Sequence, residues 1–315
     1  MAEHWVAREW GSPNGWRLEE YEVARPDAGE VTIRVHAAGV NPADAKHVAA
    51  PRSGVELPTP IGYEVSGVVT AVGPRTEIVT GRVAVGDEVI AFRVRGGYAT
   101  ELTVPAQMVL RKPAGLTHAE AANLLLAGTT ASAMLHAVGA TRGETVLLHA
   151  ASGAVGVSVL QQAAMQGIRV IGTAGRARFD EVRRFGGLPV EYGDGLLARI
   201  RETMAGAGVT GVDAALDAAG TPEAVETSLA LVNDRRRIVT IVAPAAAAEH
   251  GFLASSGADP ETARYRDEAR IHLVEAAEAG DIVVPVAREY PLAEAPQALA
   301  FLADGHPGGK IALIP

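Results

Sequence analysis

The sequence contains no cysteine, which excludes disulfides and any zinc site built on thiolates. Aromatic residues make up only 4% of it, and no basic stripe is interleaved with them. Together with a formal net charge of -9, this gives no support to a nucleic-acid partner. The one dense basic cluster, Arg235-Arg236-Arg237, reads as the solvated entry to a strand. No window reaches the roughly eighteen uninterrupted apolar residues of a membrane span. The opening MAEHWVAREW has no apolar core of signal-peptide length, so a cytoplasmic location with no membrane partner is expected. The histidines show no metal-ligand spacing, and no Ser-His-Asp arrangement can be argued from their order. What is present is 48% hydrophobic and 21% charged residues over 315 positions, the composition of a globular protein long enough for two domains.

The chain is organised around ETVLLHAASGAVG (144–156). Thr145, Val146, Leu147 and Leu148 suit a buried parallel strand. Ala151, Gly153 and Gly156 follow in the spacing A-x-G-x-x-G. This spacing serves a tight turn, close approach of the backbone to a pyrophosphate, and close packing of helix on strand. The amides of Ser152, Gly153, Ala154, Val155 and Gly156, with the positive end of a helix dipole, would then face an anion. Ala151 stands where the usual pattern has its first glycine, so taken alone the stretch also fits a plain helix-packing turn. The context is richer. Helical spacing of Val155, Val159, Leu160, Ala163 and Ala164 leads to a second apolar run at 169–173. Helical patterns at 178–185, 196–204 and 222–231 then alternate with strands at 190–192, 212–218 and 237–242. Five strands separated by helices predict an α/β fold, a Rossmann doubly wound parallel sheet with ligands at the carboxyl ends of its strands. His149, just before the turn, reads as a hydrogen-bonded packing residue.

Residues up to about 113 differ. Short β-like runs at 31–35, 65–72, 87–92, 98–104 and 108–110 are punctuated by Gly and Pro turns, which predicts a small, mostly β domain with a partly open barrel. A helix is expected over 118–137, with Gly128-Thr129-Thr130 placing two hydroxyls at a ligand-facing turn. Residues 244–260, rich in Ala, Gly and Ser, read as a mobile loop beside the cleft. Residues 261–279 read as an amphipathic helix burying Ile271, Leu273, Val274 and Ala277. The last stretch offers a strand, a helix and a final strand returning to the amino-terminal β domain. The expected division is therefore 1–118, 119–262 and 263–315, the outer two forming one domain.

The second strand ends in Thr173-Ala174-Gly175-Arg176-Ala177-Arg178, with no carboxylate where NAD-binding sites usually present one to the ribose. Guanidinium groups of Arg176 and Arg178 would instead complement a 2′-phosphate, so NADPH is the expected cofactor. Two arginines merely opening a helix is the alternative.

Seven motifs spread over nearly the whole chain carry a resemblance: AAGVNPADAK (37–46), PIGYEVSGVVTAVG (60–73), VGDEV (85–89), GGYATE (96–101), LLLAGTTA (124–131), HAASGAVG (149–156) and GGKIALIP (308–315). Jointly they resemble the medium-chain dehydrogenase/reductases, and within them the zinc-independent quinone oxidoreductase (zeta-crystallin-like) branch. The resemblance implies a GroES-like, mostly β catalytic domain built from both termini around a central Rossmann domain. It also implies a substrate held next to the nicotinamide and a homodimer formed through an edge strand, for which RIVTIV (237–242) is a candidate. It places Asn41, Asp44, Tyr63, Thr130 and Val242 near the substrate, Tyr192 at the adenosine end, and Thr173, Ala219 and Lys310 with the cofactor. Zinc-dependent relatives carry Cys in the first motif and Gly-His-Glu in the second. This chain has Asn41 and Gly62-Tyr63-Glu64, so no catalytic metal is expected. Lys46 stands where quinone oxidoreductases often carry Tyr.

The expected activity is NADPH-dependent hydride transfer to a small molecule, a quinone or an α,β-unsaturated carbonyl (an enone). Asn41 and Tyr63 would serve as hydrogen-bond donors, Lys46 as electrostatic helper or proton source, and Asp44 as an orienting group. Glu64 reads as partner to a basic group. The alternatives are an enoyl-thioester or biosynthetic reductase of the same superfamily, and an NADPH-binding structural or sensor protein without turnover.

Overall fold

A computed structural model describes residues 1–305 and 308–315. The chain forms two compact units, Met1–Leu126 with Ile271–Pro315, and Ala127–Arg270.

In the first unit a seven-stranded sheet runs in the order Val109–Arg111, Glu88–Phe92, Glu64–Val72, Glu30–Val40, Lys310–Ile314, Val286–Pro291, with Glu101–Pro105 also paired to Glu30–Val40. Period-two alternation shapes the long strand. Val31, Ile33 and Val35 are buried while Arg34 and His36 face solvent. The last strand is antiparallel to it, Ile311 opposite Val40 and Leu313 opposite Ala38, so the end of the chain completes the sheet its beginning started. A three-stranded sheet of Arg17–Tyr21, Ala2–Ala7 and Thr59–Pro60 lies in the same unit. Its core includes Ile33, Val65, Val89, Val109 and Tyr98.

The second unit is a six-stranded, wholly parallel sheet. Its order is Gly187–Glu191, Arg169–Ala174, Thr145–His149, Ala214–Asp217, Ile238–Thr240, Leu253–Ala254. In sequence order this is 3-2-1-4-5-6, with the direction of winding reversing between the first and fourth strands. Every residue of Thr145–His149 is buried, which is why its centre, Val146 to Leu148, reads as a continuous apolar run.

Four expectations need correction. The helix expected over 118–137 breaks into His118–Ala121 and Leu125–Ala137, so Gly128, Thr129 and Thr130 lie inside a helix and not at a turn. Residues 244–260 are not a featureless loop. Pro244 opens the helix Pro244–His250, and Gly251, at φ +72°, ends it in the left-handed region. The strand Leu253–Ala254 that follows pairs with Ile238–Thr240, so RIVTIV is covered and is not the sheet edge. In Pro260–Glu278 the buried face carries Leu273, Ala276 and Ala277. Ile271 is exposed, because two residues along a helix is about 200° around it. Among the described residues no helix is long and apolar enough to cross a membrane.

Candidate active site

The nucleotide-binding candidates gather at the carboxyl end of Thr145–His149. The chain leaves the strand through Ala150 at φ +60°, a conformation an L-residue rarely adopts. Thr173 fixes the turn from the neighbouring strand: its Oγ1 accepts from Ala150 N at 3.2 Å and its carbonyl from Ala151 N at 2.9 Å. Gly153 caps the thirteen-residue helix Ala154–Gln166. At Gly156 a Cβ would lie 2.3 Å from the Ala150 carbonyl oxygen and 2.6 Å from that of Ala151, so only glycine permits this turn. The first amides of the helix have no partner within it and point outward with the positive end of the dipole. Across the sheet His149 lies beside Asp217. Its ring bonds to Ser228 Oγ at 3.1 Å, and burial pushes it down to about 4, so it is a neutral packing residue near neutral pH. Asp217 takes Thr240 Oγ1 at 2.7 Å and the amides of Ala219 and Gly220 at 2.9 and 2.8 Å, which shapes the loop carrying Ala219. Val242 and Tyr192 are exposed apolar side chains just beyond their strands. Thr130 is half-buried, and its neighbour Thr129 accepts from Arg266 at 3.0 Å.

The end of the second strand carries no carboxylate of its own, as its sequence has it, but one reaches it from the next strand. Glu191 ends the third strand opposite Ala174, and its Oε2 accepts from Arg176 Nε at 2.7 Å. Arg178 lies 3.9 Å from Glu181. Sequence order hides Glu191, because parallel register and not proximity along the chain brings it to Arg176.

The first unit holds a buried polar cluster. Its strand Glu30–Val40 runs directly into Asn41 and the helix Pro42–Lys46. Asn41 Nδ2 donates to Glu64 Oε1 at 2.9 Å and to Gly39 O at 3.4 Å. The Lys310 ammonium donates to Asn41 Oδ1 and to Val40 O, and lies 3.6 Å from Glu64. Glu64 Oε2 accepts from Leu126 N at 2.9 Å. Asp44 Oδ2 accepts from Asn41 N at 2.7 Å and from Tyr98 Oη at 2.8 Å, while its Oδ1 is buried without a partner. Burial pushes Asp44 up to about 7 and pulls Lys310 down. Tyr63 points elsewhere, hydrogen-bonding to His47 Nδ1 with the rings edge to face. Burial pushes its phenol up to about 12 and lowers His47.

Three assignments change as a result. The Asn41 amide protons are taken up inside the protein, so it organises the cluster and is not a ligand donor. Lys310, expected at the cofactor, is buried against Glu64. Lys46 is exposed and separate from the cluster. Sequence order also missed Tyr98 and His47. A Ser66–His118–Glu88 line, at 2.7 and 3.1 Å, has the contact order of a hydrolase triad. Ser66 is fully buried, however, and donates to Val89 O, so the line is structural.

Two family models match the chain: the alcohol dehydrogenase GroES-like domain over residues 27–114 and zinc-binding dehydrogenase over residues 192–313. A 2-haloacrylate reductase from a Burkholderia species is 28% identical, covering 98% of both chains. A quinone oxidoreductase of Pseudomonas aeruginosa is 28% identical over the whole of both. The solved structure of a mycobacterial protein complexed with NADPH is 29% identical over the whole of both chains, with a TM-score of 0.83. The chain belongs to the medium-chain dehydrogenase/reductases, with quinone oxidoreductases among its relatives. Its first unit is the GroES-like domain and its second the Rossmann domain of that fold.

Proposed function

We propose that the protein is an NADPH-dependent oxidoreductase that reduces a quinone or an α,β-unsaturated carbonyl without zinc. The observation that carries this reading is the turn 149–156, whose strained Ala150 and obligatory Gly156 open a helix amino terminus at the switch point of the sheet. The Gly153 amide closes the turn onto Ala150 O at 3.0 Å, and the amides of Ser152, Ala154, Val155 and Gly156 would hold the pyrophosphate, Arg176 and Arg178 the 2′-phosphate. Thr130, Thr173, Tyr192, Ala219 and Val242 would frame the rest. A relative solved with NADPH and relatives named for quinones and for an unsaturated acid support the same reading.

The residues do not fit a catalytic zinc. The chain has no thiolate, and Asn41 and Tyr63 replace ligands of zinc-dependent relatives. The Lys310 ammonium already lies against Glu64 and Asn41, where a dication would meet like charge.

NADPH supplies hydride when bound. Reduction also needs one proton at the oxygen or carbon that gains charge, and Tyr63 is suited to donate it. A phenol is protonated at neutral pH, and burial, which pushes this one up to about 12, makes it a weak acid that would release its proton only to an oxygen or carbon gaining full negative charge. His47 can pass a proton back to it from solvent. A homodimer belongs to this reading through the family resemblance, and light scattering should return twice 32.6 kDa. The decisive experiment follows nicotinamide absorbance with NADPH or NADH against a panel of quinones and enones. Turnover with NADPH well above NADH is expected. NADPH that binds but is oxidised by no acceptor would overturn the proposal.

A further inference from the structure

We propose that Glu191 is the residue that sets the balance between NADPH and NADH, holding Arg176 before the nucleotide arrives and opposing a 2′-phosphate in the complex. This rests on the NADPH reading above and adds a residue that reading does not use.

The backbone around Glu191 is fixed. Arg199 donates through Nε to Glu191 O at 2.9 Å, through Nη2 to Gly193 O at 2.6 Å and through Nη1 to Asp194 O at 2.6 Å. Gly193 N donates to Glu223 Oε2 at 2.8 Å. The Arg199 guanidinium is therefore taken up by the loop, and what can rearrange at its surface is the Arg176–Glu191 pair. Their side chains are 76% and 35% exposed, so solvent screens the pair and a phosphate dianion can capture Arg176 from it. The carboxylate stays behind, one strand over from where a ribose-binding acid usually stands. It repels a 2′-phosphate but can accept from a ribose hydroxyl. The site thus carries a cation for one nucleotide and an anion for the other, so its preference for NADPH is weaker than two arginines alone would give.

The test is calorimetric binding of adenosine 2′,5′-bisphosphate, ADP, NADPH and NADH to wild type and Glu191→Gln. Glutamine keeps the shape and an acceptor for Arg176 Nε, so the fold is not at risk, and a thermal melt checks this. The variant should bind the bisphosphate and NADPH about three- to tenfold tighter relative to ADP and NADH, as removal of one charge near a dianion implies. The gain should shrink as salt is raised toward about 1 M. An unchanged ratio, or an equal gain for all four nucleotides, would overturn the assignment to Glu191. The ratio shift tests Glu191 whichever nucleotide the wild type prefers. A wild-type preference for NADH would instead count against the parent reading alone.

Discussion

Lys310→Met removes the one cation of the buried cluster in the first unit and leaves its anion in place. Glu64 is 2% exposed, and its nearest positive charge is the ammonium at 3.6 Å. Asn41 Oδ1 and Val40 O lose a donor in the same step. Methionine matches the lysine stem closely in length, so little cavity forms and the cost is electrostatic. Deleting one partner of a buried ion pair costs about 3–5 kcal/mol. For a domain of this size that lowers the melting temperature by roughly 6–20 °C. The double variant Lys310→Met, Glu64→Gln should recover about half of the loss, because the neutral amide put in place of the carboxylate can keep one of the two acceptor bonds to Asn41 and Leu126 N. Urea unfolding followed by tryptophan fluorescence is the assay. Trp5, Trp10 and Trp16, all three tryptophans of the chain, lie in the first unit, so the signal reports that unit alone. A loss below about 1 kcal/mol for the single variant, or no recovery in the double, would refute the reasoning.

The other expectations can be checked with the same protein. Burial holds the Asp44 carboxyl at about 7 in the folded state, above its ordinary value of 3.8, so its stabilising contribution is full below about pH 4 and is lost as pH rises through 7. Asp44→Asn removes that dependence and should gain on wild type by up to about 4 kcal/mol between pH 4 and pH 8. Parallel pH curves for the two proteins would contradict this. Gly156→Val, with a Cβ 2.3 Å from a backbone oxygen, should abolish NADPH binding in a titration and leave the tryptophan transition of the first unit unmoved. Retained binding would remove the turn from the site. Tyr63→Phe should lower kcat about a hundredfold with the KM for NADPH unchanged, and an unaltered kcat would take the phenol out of the reaction.

Much of the Rossmann unit is written locally. Thr145–His149 is buried on both faces and therefore apolar over Val146, Leu147 and Leu148, and the turn after it has no room for a side chain at Gly156, so both features show in consecutive letters. The helix Pro244–His250 carries local signals too. Proline at its first position, four alanines and a glycine after its end are helix signals that Ala-rich composition disguises as a loop. Order along the chain cannot supply the rest. Lys310 reaches Asn41 because the final strand pairs with Glu30–Val40, and the sequence separation of 269 residues leaves no local trace of it. Glu191 meets Arg176 through parallel register in the same way. The changes from one compact unit to the other, at Leu126/Ala127 and Arg270/Ile271, fall inside the helices Leu125–Ala137 and Pro260–Glu278. Neither composition nor periodicity marks such a point.

The central claim is that this chain moves hydride from NADPH to an organic acceptor. The most direct measurement is mass analysis of the NADP⁺ formed from NADPH carrying deuterium on one or the other face of the nicotinamide C4, in the presence of the best quinone or enone. Loss of deuterium from one labelled form and its retention in the other is the predicted result. NADP⁺ that forms at the same rate without acceptor, or that loses label from both faces alike, would contradict it.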